Sequence, residues 1–238
     1  MTAALALPWL QLCGMDESHL VAYHCPHADK DFLVHHEVHE PLKQLVAAAA
    51  ADGHSLQIVS AYRSFSRQQD IWNRKWSGDL PCRDAGGQII DLGEMGEMQK
   101  LWLILSWSAF PGLSRHHWGT DFDIFDAKAI AEGHRVELLP REFRSGGPCF
   151  ELNNWLAAQA KVHQFFRPYS PYAGGVAEEP WHISFAPLAQ NILQQTLKEQ
   201  NKLLETLKLT LLETAGAEVF LQYFDTVCQR FLHRINPY

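Results

Sequence analysis

Residues 114–126 read SRHHWGTDFDIFD, and the pattern of this stretch decides which fold the chain can adopt. Its first half contains two histidines followed by a glycine, which is typical of a tight turn. Its second half alternates acidic and apolar residues, which is typical of a β-strand. A period of two places Asp121 and Asp123 on one face of the strand and Phe122 and Ile124 on the other. The stretch therefore predicts a strand that carries carboxylates directly after a histidine-rich turn.

The sequence on either side of this strand predicts further short elements in an irregular order. The expected strands lie within 55–64 and 178–187, and the expected helices cover 37–51, 66–76, 94–108 and 151–165, with loops over 77–91 and 168–175. Because strands and helices do not alternate in the regular order that builds a parallel sheet, we predict an α+β fold. Its central sheet is expected to be mainly antiparallel and to be flanked by helices.

The chain divides into three segments by pattern. Residues 1–36 show no clear period and are expected to be irregular, and residues 37–187 hold the predicted strands and helices of one domain. Residues 188–238 predict a long helical extension, with leucines at seven-residue steps from Leu197 to Leu211. These are fewer heptads than a coiled coil needs, so we expect the extension to pack on its own domain. A homodimer formed through this C-terminal helix is the alternative.

Composition and charge exclude several classes of protein. The 238 residues are 47% hydrophobic and 20% charged, which is typical of a globular protein. A net charge of -7 without a basic stripe argues against nucleic-acid binding. Uninterrupted apolar runs never approach the roughly 18 to 20 residues that a membrane span needs.

The N-terminal sequence MTAALALPWLQLCGMDESHL does not have the pattern of an export signal. Its apolar run is short and interrupted by Pro8, and no lysine or arginine precedes it. We therefore expect a cytoplasmic location.

Two polar clusters have the residue types that catalytic zinc requires, at 114–123 and at 178–182. Such a site takes three ligands from histidine or carboxylate side chains and leaves a further position for water. It also needs a carboxylate nearby that takes a proton from that water without binding the metal. Glu179, three residues before His182, is placed for this role if Pro180 bends the chain. Spacing alone leaves the other ligands open among His116, His117, Asp121, Asp123 and Asp126.

Three segments together resemble the signatures of the LAS-type zinc metallopeptidases, which include the VanY-like D-alanyl-D-alanine carboxypeptidases and their L,D-carboxypeptidase relatives. These segments are SAYRSFSRQQ at 60–69, SRHHWGTDFD at 114–123 and EPWH at 179–182. They occur in the family's order and at similar separations, across residues 37 to 187. The positions that fill the family's motifs are Tyr62, Arg63, Ser64, Gln68, Ser114, His116, Gly119, Asp123, Glu179, Pro180, Trp181 and His182.

The resemblance implies a role for several of these residues. It implies a Zn²⁺ ion held by His116, Asp123 and His182. It implies that Glu179 is the catalytic base and that Arg63 stabilises the oxyanion. Ser114 and Gln68 match positions that contact the C-terminal end of the substrate.

One position departs from the family pattern, because Asp121 stands where these enzymes usually have alanine. Three roles are open for its carboxylate: it orients a ligand histidine, it narrows the choice of substrate, or it replaces Asp123 as the metal ligand.

The resemblance implies a zinc-dependent carboxypeptidase that removes a C-terminal D-amino acid from peptidoglycan-derived peptides. In the cytoplasm its substrates are expected to be recycled wall fragments. One alternative is a peptidoglycan endopeptidase that cuts between L-Ala and D-Glu. A second is a non-catalytic zinc-binding module, since Hedgehog signalling domains share this fold and a fold does not determine function.

Overall fold

The computed structural model describes residues 8–238. Residues 1–7, where the sequence examined for an export signal begins, lie outside the described residues. The α-helices are α1 (Trp9–Leu12), α2 (His39–Ala51), α3 (Phe65–Ser77), α4 (Glu97–Leu105), α5 (Ala127–Ala131), α6 (Phe150–Gln159), α7 (Ala186–Lys198), α8 (Gln200–Lys208), α9 (Ala217–Gln222) and α10 (Phe224–Val227). The strands are β1 (Leu20–Cys25), β2 (Lys30–His35), β3 (Leu56–Ser60), β4 (Cys82–Arg83), β5 (Ile89–Ile90), β6 (Asp121–Asp126), β7 (Phe165–Phe166) and β8 (His182–Phe185). A 3₁₀ turn, Arg115–Trp118, leads into β6.

The central sheet has the strand order β3-β6-β8-β7, and each neighbouring pair is antiparallel. This confirms the α+β prediction with a mainly antiparallel sheet. The register sets Asp123 of β6 opposite His182 of β8 on one side and Ser60 of β3 on the other. Residues 60, 123 and 182, which are far apart in the sequence, therefore lie side by side.

One face of the sheet packs against α2 and α6 to form the sheet core. The apolar stripe of α2 consists of Leu42, Leu45, Val46 and Ala49, which recur with the helical period and are all buried. A second cluster, the helical core, contains Phe65 and Trp72 of α3, Leu101 and Ile104 of α4, and Leu203, Leu207, Phe220 and Val227 of the C-terminal helices. The C-terminal segment thus completes a core that α3 and α4 begin.

The helix predicted over 66–76 is α3, and both of its ends have a clear cause. The side chain of Ser64 accepts a hydrogen bond from the backbone N–H of Arg67 and caps the N-terminus. The helix ends at Gly78, whose φ of 88° is the left-handed conformation that glycine adopts readily. The predicted helix over 94–108 is shorter in the structure, because it begins only after the turn that ends at Gly96.

Three predicted segments differ from the structure. Residues 1–36 were expected to be irregular, but β1 and β2 form an antiparallel hairpin there. Its inward-facing residues are few, Tyr23, Cys25 and Val34, and polar neighbours hide their alternation. The loop over 77–91 contains the two-residue pair β4–β5.

The C-terminal segment is not one long helix. It breaks at Glu199 between α7 and α8, and again before α9, where Gly216 adopts a φ of 68°. The break at Glu199 allows Ile192 to pack beside Trp118 while Leu203 and Leu207 enter the helical core. Among residues 8–238, no helix is long and apolar enough to cross a membrane.

Candidate metal centre and active-site cleft

His116, Asp123 and His182 converge beside the two inner strands of the central sheet, β6 and β8. Nε2 of His116 lies 3.3 Å from Oδ2 of Asp123, and Nδ1 of His182 lies 3.2 Å from Oδ1 of the same carboxylate. Ligand atoms about 2.0 to 2.2 Å from a tetrahedral zinc ion are roughly 3.3 to 3.6 Å apart. The three side chains therefore have the donor types and nearly the separations that a zinc ion requires.

The local backbone explains why these side chains meet. The 3₁₀ turn that carries His116 ends at Gly119, whose φ of 70° reverses the chain into β6. Asp123 follows on that strand, and the β6–β8 register places His182 directly opposite it. A one-residue slip of either strand would move its ligand to the other face of the sheet.

Hydrogen bonds on the far side of each imidazole fix which nitrogen faces the centre. Nδ1 of His116 donates to the carbonyl oxygen of Ala61 at 2.8 Å, which leaves Nε2 facing Asp123. Nε2 of His182 lies 2.9 Å from Oδ1 of Asp121, which leaves Nδ1 facing Asp123. This is the outer hydrogen bonding that usually orients metal-binding histidines.

Asp121 is fully buried and held from several sides. Nε of Arg115 donates to its Oδ1 at 2.7 Å, and the hydroxyl groups of Thr120 and Ser184 donate to its Oδ2 at 2.6 and 3.1 Å. Burial alone would raise the pKa of Asp121, but Arg115 and the hydrogen-bond donors around the carboxylate lower it to about 2. The contact of Asp121 with Nε2 of His182 agrees with the first of the three roles left open by the sequence, in which Asp121 orients a ligand histidine.

The charges around His182 favour a cation at this position. Burial lowers the pKa of His182, whereas hydrogen bonds to three surrounding carboxylates raise it well above its ordinary value. These carboxylates belong to Asp121, Asp123 and Glu179. A positive charge, from a proton or from a divalent metal ion, stabilises this arrangement.

Glu179 lies beside the three candidate ligands without being one of them. Its Oε2 is 3.4 Å from Nδ1 of His182, at the mouth of the triad. The backbone N–H of His182 donates to the carbonyl oxygen of Glu179 at 3.1 Å, so the Pro180–Trp181 dipeptide forms the turn that the sequence required. The carboxylate thereby faces the same cleft as the triad.

Arg63 lies next to Asp123 of the triad and contacts Gln68 on its other side. Nη2 of Arg63 is 4.0 Å from Oδ2 of Asp123, and Nη1 donates to Oε1 of Gln68 at 2.7 Å. Nε2 of Gln68 in turn donates to the carbonyl oxygen of Ala109 at 2.7 Å. Gln68 is fully buried with both ends of its amide occupied, so the structure places it as a support for Arg63 rather than at the substrate. Ser114 lines the cleft, as its predicted role requires.

His117, the other candidate in the turn, has both ring nitrogens occupied. Nδ1 donates to the carbonyl oxygen of Arg63 at 2.6 Å, and Nε2 accepts from the backbone N–H of Gly112 at 3.0 Å. Burial lowers the pKa of His117 to about 3. His117 is therefore a neutral brace between two loops.

The cleft beside the triad has about 270 Å³ of open space. Sequence reasoning missed several side chains that line it: Lys75, Arg83, Trp107, Ser108 and Tyr169. They come from separate segments that only the tertiary fold brings together. Among these residues, only Lys75 could have been found from the sequence. It lies seven positions after Gln68, which places both residues on the same face of α3.

The site lies within the region that matches a known family. The model of the family described as VanY, D-alanyl-D-alanine carboxypeptidase, matches residues 31–188. All of the predicted site residues fall inside this range.

Two curated relatives are uncharacterized proteins of Haemophilus influenzae. One is 43% identical over 84 residues, which cover 34% of this chain and 64% of the relative. The other is 38% identical over 98 residues, which cover 41% of this chain and 66% of the relative. The chain thus spans just under two thirds of the length of each.

Two solved structures share the fold. One is a zinc(II) complex of a mutant of the vancomycin resistance D,D-pentapeptidase VanY, with 22% identity, a TM-score of 0.50, and coverage of 74% of this chain and 86% of that chain. The other is the LD-carboxypeptidase LdcB, with 22% identity, a TM-score of 0.53, and coverage of 80% and 77%. At this level of identity they establish the common fold.

Proposed function

The chain belongs to the VanY D-alanyl-D-alanine carboxypeptidase family, and from this premise we propose that it is a zinc-dependent carboxypeptidase. Its proposed reaction removes a C-terminal D-amino acid from peptides derived from peptidoglycan. The observation that carries the proposal is the triad of His116, Asp123 and His182, with Glu179 beside it. The VanY neighbour, which was solved with Zn(II), supports zinc as the metal.

Each side chain has a task that follows from its position. His116, Asp123 and His182 would hold the zinc ion, which would supply Lewis acidity and make a water molecule in the cleft more acidic. Glu179 accepts a proton from the attacking water at Oε2 and passes it to the leaving amine. Arg63 stays positively charged at neutral pH and stabilises the negative charge that develops on the carbonyl oxygen. Ser114 offers its hydroxyl group to the substrate in the same cleft.

Replacing Glu179 with glutamine tests this mechanism. The amide keeps the shape of the side chain but does not take up the proton, so the rate should fall by roughly 100- to 10,000-fold. Zinc content should stay unchanged, since Glu179 is not among the three ligands. The matched control is Glu178→Gln, whose carboxylate pairs with Arg144 at 2.9 Å and should not affect the rate.

The assay incubates the zinc-loaded protein with a stem pentapeptide and reads the masses of the products. Loss of one terminal D-Ala agrees with the carboxypeptidase, and an internal cut identifies the endopeptidase instead. Absence of any product agrees with the non-catalytic module. Unchanged hydrolysis by the Glu179→Gln variant would refute the role of the base.

A further inference from the structure

Lys75 lies in the cleft without an acidic partner. Its Nζ donates to the hydroxyl group of Ser108 at 2.7 Å. Within residues 8–238, no carboxylate lies within 4.0 Å of this ammonium group. An ammonium group has three N–H donors, so two remain for a ligand in the cleft.

A second cation, Arg83, lines the same cleft. Its Nη1 donates to the backbone carbonyl oxygen of Gly87 at 2.7 Å, which holds the guanidinium group in place without neutralising it. Burial lowers the pKa of Lys75, Cys82 and Glu179 raise it, and the charges of Arg63 and Arg83 have a smaller lowering effect. An anion bound beside Lys75 would offset the cost of burying its ammonium group.

Part of the lining of this cleft is apolar. Ile71, on the same face of α3 as Lys75, lines the cleft together with Pro81, Ala109 and Val176. Aliphatic side chains of this kind accept a methyl group and offer no partner for a polar side chain.

We propose that Lys75, fixed by Ser108 and supported by the charge of Arg83, binds the free α-carboxylate of the last residue of the substrate. This inference rests on the proposed peptidase function and specifies its substrate class. The enzyme takes peptides that end in a small apolar residue with an ionised carboxylate.

The test measures binding in a zinc-loaded protein that carries Glu179→Gln, so that turnover does not consume the ligand. The probes are two stem pentapeptides that end in D-Ala-D-Ala, one with a free carboxylate and the other with a C-terminal amide. We expect the acid to bind about 10- to 100-fold more tightly than the amide, as for a hydrogen bond to a charged group. Lys75→Met should abolish this preference without changing the affinity for the amide.

The controls separate this charge from general damage to the site. Lys75→Arg should retain most of the preference for the acid, and Lys43→Met, at an exposed position of α2, should leave it intact. Zinc content and the thermal midpoint verify that each variant is folded. Equal affinity of the parent for acid and amide, or a preference that survives Lys75→Met, overturns the inference. If the Glu179→Gln parent prefers the acid but the wild-type protein hydrolyses neither peptide, the inference about Lys75 stands and only the proposed function is refuted.

Discussion

At the scale of single residues, His182 has a carboxylate on each side of its ring. Nδ1 faces Asp123, and Nε2 faces Asp121 at 2.9 Å, so the imidazole is fixed in one orientation before a metal ion arrives. Arg115 holds Asp121 in turn, with Nε at 2.7 Å from Oδ1. This series of contacts gives Asp121 a function that does not require it to touch the metal.

We therefore expect Asp121→Asn to weaken zinc binding by about 10- to 100-fold, the usual effect of losing an outer partner of a metal ligand. The amide keeps the size of the side chain but lacks the charge that pairs with Arg115 and His182. Competition with a chromophoric chelator measures the affinity directly. The control is Asp126→Asn at the far end of β6, where the side chain caps α5 and should not influence zinc binding. Equal zinc affinities in the wild type and Asp121→Asn would contradict the positioning role.

Single residues also show how far the sequence alone can predict this site. The ordered motifs identified His116, Asp123, His182 and Glu179, because each motif fixes the number of residues between its functional positions. The role of Asp121 stayed open, since alternation gives the face of a strand but not the distance to a neighbouring strand. Gln68 has a motif position, yet its contacts with Arg63 and Ala109 appear only in three dimensions.

At the scale of elements, the β1–β2 hairpin packs against the turn that precedes β6. The backbone N–H of His35, at the end of β2, donates to the carbonyl oxygen of Gly119 at 2.9 Å. A Cβ at position 119 would lie 2.7 Å from that same backbone nitrogen and 2.7 Å from Cδ2 of Leu20. The hairpin and the turn that carries His116 therefore meet at a position that has room only for glycine.

Gly119→Ala should destabilise the fold more than an alanine in an equally left-handed but open position. The left-handed backbone alone costs about 1 to 2 kcal/mol, and the contact with the hairpin backbone adds to that cost. Gly53→Ala is the matched control, because its φ of 83° is similar and nothing lies within 4 Å of the added carbon. Urea unfolding measures the free energy of unfolding of both variants. Equal losses of stability would show that the hairpin backbone moves away from the added carbon without destabilising the fold.

Elements differ in how well their pattern predicts them. β6 and α2 were predicted because their apolar residues recur at the strand or helix period over the whole element. The hairpin was missed because its buried residues are sparse among polar ones. The C-terminal extension is helical as predicted, but it is not continuous, because the seven-residue step of its leucines does not reveal the breaks at Glu199 and Gly216.

At the scale of the whole molecule, α3 lies between the cleft and the helical core. Its cleft face carries Ile71 and Lys75, and its other face contacts the C-terminal segment. Nε1 of Trp72 donates to the carbonyl oxygen of Ala215 at 2.8 Å, and Nε2 of Gln69 donates to the hydroxyl group of Thr214 at 2.8 Å. The C-terminal helices thus support the element that forms one wall of the site.

The same packing bears on the alternative of a homodimer. Leu211 is buried and contributes to the helical core, and Leu197 and Leu204 pack against that core. These leucines make their contacts within the chain, as expected for an extension that packs on its own domain. The homodimer remains the untested alternative, and light scattering of the full chain tests it.

A substitution at Phe220 can measure how much the C-terminal helices contribute to the stability of the core around α3. Its ring stacks on Phe110 at a centroid distance of 3.6 Å and is fully buried. Phe220→Ala should cost about 3 to 5 kcal/mol of stability, because it opens a cavity between the C-terminal helices and the core of α3. Leu212→Ala, at a side chain that is 98% exposed, should change stability by less than about 0.5 kcal/mol. Urea unfolding followed by tryptophan fluorescence compares the two variants. Similar losses in both would mean that the C-terminal helices are not part of the cooperative fold, and the wall that carries Lys75 would then need another support.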